Sequence, residues 1–207
     1  MKIYEMLQIL GDEWKSLQKE FDVYDVDFYI CRPSKMIVSM FKYTKGGNCA
    51  ERLNNAVNDM VDNEKSEAVM FTKCIITKNE ESKVVVDQVV IMEYGVLCEL
   101  MYSCEDVMDT LIEYLRHSLR HEMGHVIVNR ERYRDKDWDE AHSIMMNVLE
   151  KRKDVTLQRE KVCDFKQFYY DYFNSYDEKP ANDAVGITWE RTWELDSVIN
   201  RYRKEQL

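Results

Sequence analysis

The 207-residue chain has no stretch approaching the roughly 18 consecutive apolar residues that a helix needs to cross a bilayer. Its opening, MKIYEMLQILGDEW, is interrupted by acids and lacks the long apolar core of a secretion signal. There is no CxxC pair. The six cysteines (Cys31, Cys49, Cys74, Cys98, Cys104 and Cys163) lie scattered, and without a secretion signal their even number is no argument for disulfides. Reduced thiols and a cytoplasmic location are therefore expected. Positive charge is in short supply as well: a net charge of −10 argues against whole-protein attraction to nucleic acid or anionic membrane, so neither is an expected partner. No internal repeat or low-complexity tract occurs. Histidine is scarce, with four in the chain, yet three of them fall within LRHSLRHEMGHVIVNRERYR, residues 115 to 134.

What is present can fold. A 45% hydrophobic content with abundant aromatics supplies a core, and the length fits one domain, 1–207. Apolar positions Met6, Ile9, Leu10, Trp14 and Leu17 at helical spacing predict a helix over 3–20. VYDVDFYICRP alternates Val26, Phe28 and Ile30 against Asp25, Asp27 and Tyr29, a strand pattern, and KMIVSMFKYT reads as a second strand paired with it. Asn48 with Glu51 signals a helix start, followed by a stripe of Leu53, Ala56, Val57, Met60 and Val61. EAVMFTKCIIT and KVVVDQVVIMEYG supply two further strands. From Ser103 onward the pattern is helical, with segments near 104–130, 137–152, 156–175 and 188–205. The expected architecture is α+β: a mixed or antiparallel sheet with helices in a lobe over 1–102, then a mainly helical, zincin-like lobe over 103–207. Arg116, Arg120, Arg130, Arg132 and Arg134 read as a solvated helix face, with an acidic partner as the other use.

The histidine segment carries the chemistry. At about 100° per residue, with Glu122 set to zero, Met108, Leu111, Leu115, Leu119 and Val126 fall between about −20° and +60°. Glu122 thus occupies a leucine's place on the apolar stripe, and a carboxylate buried there costs several kcal/mol, roughly, unless it is paired. His121 and His125, at about −100° and −60°, stand together at the edge of that stripe. An i,i+4 histidine pair can reach one ion, and the glutamate between them can take a proton from a water on that ion. His117, at about −140°, is turned further from the apolar face and reads as a surface or supporting residue. Chance occurrence on a solvated helix is the competing explanation, and Glu122 on the buried stripe with Gly124 inside the motif argues against it.

Two histidines do not complete a coordination sphere. The HExxHxxGxxH continuation is absent, because Val128 and Glu131 stand where its glycine and third histidine would be. A glutamate from a later helix is the remaining common solution, and the helical half is rich in acids, including Asp139, Glu140, Glu150, Glu160, Asp164 and Glu178. YDEKPANDAVGIT stands out among them: Glu178 and Asn182 are i,i+4, so on a helix a carboxylate would sit beside an amide able to orient a ligand histidine. Pro180 would lie in the first turn of that helix and Gly186 would end it. His142, on the stripe of Trp138, Ala141, Met145, Val148 and Leu149, reads as a core histidine, or else as a donor to a developing oxyanion. Tyr169, Tyr170, Tyr172 and Tyr176 offer phenols for the same task, with packing as the plainer role, and Tyr176 is kept with Asn182 and His142 as a supporting or oxyanion candidate.

HExxH followed downstream by E-x-x-A-N-x-A resembles the ImmA/IrrE-type metallopeptidases and related phage-associated zinc peptidases of gluzincin type. The resemblance rests on two short motifs in the C-terminal half. It implies zinc held by His121, His125 and Glu178, Glu122 as general base and Asn182 as the motif asparagine. The expected function is a zinc-dependent metallopeptidase acting on a protein or peptide substrate, which would lie extended along a sheet edge. The alternative is a non-catalytic protein on the same fold that acts by binding a partner in a phage–host or regulatory setting.

Overall fold

The computed structural model describes residues 1–31, 69–79, 81, 83–159 and 164–204. In chain order these form α1 (Ile3–Phe21), β1 (Asp27–Cys31), β2 (Met70–Lys78), β3 (Val84–Glu93), α2 (Tyr94–Ser103), a 3-10 turn (Glu105–Val107), α3 (Met108–Tyr133), α4 (Trp138–Arg159), α5 (Phe165–Phe173), α6 (Glu178–Val185) and α7 (Trp189–Lys204). The architecture is α+β. No described helix is long and apolar enough to cross a membrane.

The sheet order is β1-β3-β2. β1 runs parallel to β3, with Asp27 opposite Val89 and Cys31 opposite Glu93. The link from β2 to β3 is too short for a parallel crossover, so that pair is a hairpin and the sheet is mixed. The strand expected over 35–44 and the helix start at Asn48 lie outside the described residues. Tyr29, expected on the polar face of β1, is instead buried, and its hydroxyl donates to Asp27 Oδ2 at 3.1 Å.

Spacing of four, four and three explains α1: Met6, Leu10, Trp14 and Leu17 all turn inward and are buried. Trp14 Nε1 and Gln18 Nε2 both donate to the carbonyl of Val26, at 3.2 and 2.9 Å, tying the helix to the start of β1. The helical part differs from expectation at two joints. Ser103 does not cap the histidine helix but ends α2, and α3 begins only at Met108. The segment expected as one helix over 156–175 is divided: α4 runs on to Arg159, and Asp164 caps a separate α5 by accepting from the backbone N–H groups of Lys166 and Gln167.

The chain divides into two units that interleave in sequence. One comprises Met1–Lys73, Gln88–Leu119 and Glu194–Leu207; the other comprises Cys74–Asp87 and Arg120–Trp193. Buried residues of the first include Leu97, Leu100, Leu111, Leu115, Leu119 and Leu195. Those of the second include Met123, Val126, Ala141, Ala181 and Val185, and this unit carries every residue of the site described next.

Candidate metal centre

The stripe on α3 follows the wheel except at its first position, where Met108 is only half-buried. Leu111, Leu115, Leu119 and Val126 are fully buried, and Glu122, in the same file, is 6% exposed. The site forms where the C-terminal half of α3 meets α6. Contacts pair Arg120 with Val185, His121 with Asn182, His125 with Glu178 and Arg132 with Asp177, so the two helices run antiparallel.

Gly124 makes this crossing possible. A methyl group there would stand 2.1 Å from the carbonyl oxygen of Ala181, so the backbones meet where any side chain would hold them apart. Both ends of α6 are also fastened. The Arg132 guanidinium meets the Asp177 carboxylate at 2.9 Å with both side chains largely buried, and Arg120 Nε donates to the Val185 carbonyl at 2.9 Å. These two arginines are therefore structural ties and not part of a solvated face. Gly186, at φ 71°, closes α6 in the left-handed conformation, as its place in the sequence suggests.

Three donor atoms converge at this crossing. His121 Nε2 and His125 Nε2 are 3.1 Å apart, and Glu178 Oε2 lies 3.0 Å from the first and 3.3 Å from the second. Asn182 decides what the nearer ring presents. Its Nδ2 donates to the Phe173 carbonyl at 3.3 Å, which turns Oδ1 toward His121 Nδ1 at 2.8 Å. His121 Nδ1 therefore carries a proton and donates, and when the ring is neutral its lone pair is at Nε2. Lone pairs from two imidazoles and a carboxylate facing one point repel unless a cation or proton lies among them.

The spacing fits a small cation. Tetrahedral ligands at about 2.0–2.1 Å from zinc are about 3.3–3.4 Å from one another, close to the triangle found here. His121, His125 and Glu178 thus form a group able to hold a metal ion, all three within reach of a single position. Their electrostatics point the same way. Burial alone would lower the His121 imidazole, but its bond to Glu178, the charges of Glu122 and Glu178 and the bond to Asn182 outweigh that and raise it to about 9. Burial would likewise raise Glu178, yet the two histidines hold it well below the usual carboxylate range. The site attracts positive charge.

The remaining sequence candidates fall elsewhere. His117 is half-buried on α3 and outside the converging group. His142 is exposed on α4 with its ring 6.0 Å from Trp138, so it is not a core histidine. Asp139, Glu140 and Glu150 are exposed, Asp164 caps α5, and Glu160 lies outside the described residues. Tyr176 is exposed and its ring takes Lys151 Nζ at 3.7 Å and Arg132 at 5.7 Å. The phenol that reaches the site is Tyr172, whose hydroxyl donates to Glu178 Oε1 at 2.8 Å. Tyr172 is six residues before its partner and on a different helix, so no periodic spacing marks it. The Arg132–Asp177 pair has no sequence signal either.

No family model, curated protein or solved structure matches the chain.

Proposed function

We propose that this chain is a zinc-dependent metallopeptidase of zincin-like architecture, with His121, His125 and Glu178 as ligands and Glu122 as general base. One observation carries the reading: three donors converge in a triangle of 3.0–3.3 Å beside a carboxylate buried on the same helix. A structural metal site needs no such carboxylate, and a catalytic one does. The resemblance of HExxH and E-x-x-A-N-x-A to the ImmA/IrrE-type metallopeptidases supports the same conclusion.

Zinc held by these residues would supply a Lewis acid and a bound water whose pKa is lowered toward about 7. The protein's own groups do the rest. Asn182 fixes the His121 tautomer, so that Nε2 is the free donor. Glu122, one residue from His121 and three from His125, accepts the proton of the attacking water and delivers it to the leaving nitrogen. With Glu122 6% exposed, little solvent competes for that proton. The substrate is a protein or peptide segment lying extended along a strand edge of the sheet, and the reaction takes place in the cytoplasm.

Metal analysis combined with two variants tests the reading. Purified protein should hold zinc at one per chain, lose it in His121→Ala and keep it in Glu122→Gln. Proteins that co-purify with Glu122→Gln should be cut by the unaltered protein, with general-base removal lowering turnover by roughly 10²–10⁴-fold. Absence of bound metal, or equal cleavage by both forms, overturns the assignment and leaves a partner-binding role on the same fold.

A further inference from the structure

We propose that Tyr172 is a positioning residue that restricts Glu178 to one coordinating oxygen. The inference rests on the metal assignment above and adds a residue from an element that neither motif touches. The carboxylate is divided between two neighbours. Tyr172 donates to Oε1 at 2.8 Å, while Oε2 is the oxygen that faces the histidines at 3.0 and 3.3 Å. A carboxylate chelates through both oxygens only if both are free to approach the ion. The phenol holds Oε1 away, so Glu178 counts as one ligand and the position it would otherwise fill stays open for water.

The next residue extends the same support. The Phe173 carbonyl accepts from Asn182 Nδ2, and Asn182 in turn orients His121. Consecutive residues at the end of α5 therefore govern two of the three ligands. That end of the helix is anchored: the Phe173 and Tyr170 rings pack edge-on against Trp189, with centroids 5.7 and 5.2 Å away. Tyr172 itself is 43% exposed, so it is not a core residue whose packing dictates where its hydroxyl lies. Phenylalanine in its place removes one oxygen and should leave the fold intact.

Tyr172→Phe, with Tyr170→Phe as the matched control, is loaded with zinc or cobalt(II) by competition against a chromophoric chelator. Thermal melts confirm that both variants fold. Tyr172→Phe should bind at one ion per chain with affinity reduced by about 10- to 100-fold, the range found when a partner of a metal ligand is removed. The visible absorption of its cobalt(II) form should weaken as the second Glu178 oxygen joins the ion. Tyr170→Phe should match the unaltered protein in both. Unchanged affinity and spectrum in Tyr172→Phe overturn the proposal. Reduced affinity with an unchanged spectrum overturns it too, because Glu178 would then bind through one oxygen without the phenol. An unaltered protein that binds neither ion overturns the metal assignment itself, and this proposal with it.

Discussion

Treated with chelator, His121 keeps its second proton to about pH 9 because Glu178 and Glu122 face it. Its folded value lies above the 6.5 of the free side chain. The stability it contributes is therefore complete below pH 6.5 and is lost as the pH rises toward 9, an amount of at most about 3 kcal/mol. Glu178 is shifted the other way, so its contribution is present above the ordinary value of 4.5 and disappears as the pH falls through its lowered one. In denaturant titrations with EDTA, the unfolding midpoint should fall between pH 6.5 and 9, and the fall should flatten in His121→Gln. An equally steep fall in that variant would sink the assignment. Zinc competes for the same nitrogen, so its apparent affinity should rise over the same interval. The three converging side chains were legible in sequence because i,i+4 spacing on a helix fixes which side chains stand together, twice over: at 121 and 125, and at 178 and 182. Tyr172 was not singled out from the other tyrosines. Spacing does not say which of several phenols a neighbouring helix meets.

Between elements, the closest constraint is the crossing of α3 and α6. Gly124→Ala places a methyl group 2.1 Å from a backbone oxygen that cannot swing away. It should destabilise the protein by about 1–3 kcal/mol or more and abolish metal binding, since Glu178 and Asn182 withdraw with α6. Gly11→Ala, within α1 and with nothing inside 4 Å, should instead stabilise by up to about 1 kcal/mol. Thermal melts of the pair, with zinc titrations, separate a steric cause from general sensitivity to alanine; equal behaviour of the two variants would refute it. Asp177→Asn leaves the buried Arg132 charge without its partner and should cost about 3–5 kcal/mol in denaturant unfolding, whereas a change under 1 kcal/mol, roughly, would show the pair to be dispensable. At this scale α1 and α7 were readable from their apolar periodicity. α2 was not: YGVLCELMYS follows the apolar run of β3 without a break, so Gly95 looks like the end of a strand while the chain is already turning helical. Asp164 was read as a possible ligand, yet its side chain serves two backbone N–H groups at the start of α5.

For the whole molecule, the division into two units places the candidate metal centre entirely within the unit of Cys74–Asp87 and Arg120–Trp193. Zinc at 1,000 times its dissociation constant adds about 4 kcal/mol to whatever unfolds with the site. Hydrogen exchange with and without zinc should therefore show added protection in Arg120–Trp193 and little in Met1–Phe21. Equal gains in both would mean that the chain opens as one cooperative body. The separation of the ligands also sets an order in time. Glu178 follows His125 by 53 residues, so at roughly 5–20 residues per second the ribosome delivers it roughly 3–10 s after the histidine pair. A nascent chain during that interval holds the proposed base and two imidazoles but not the carboxylate or the asparagine. The proposed site thus cannot close on a metal until Glu178 has left the ribosome, so the order of synthesis delays the activity without any further device.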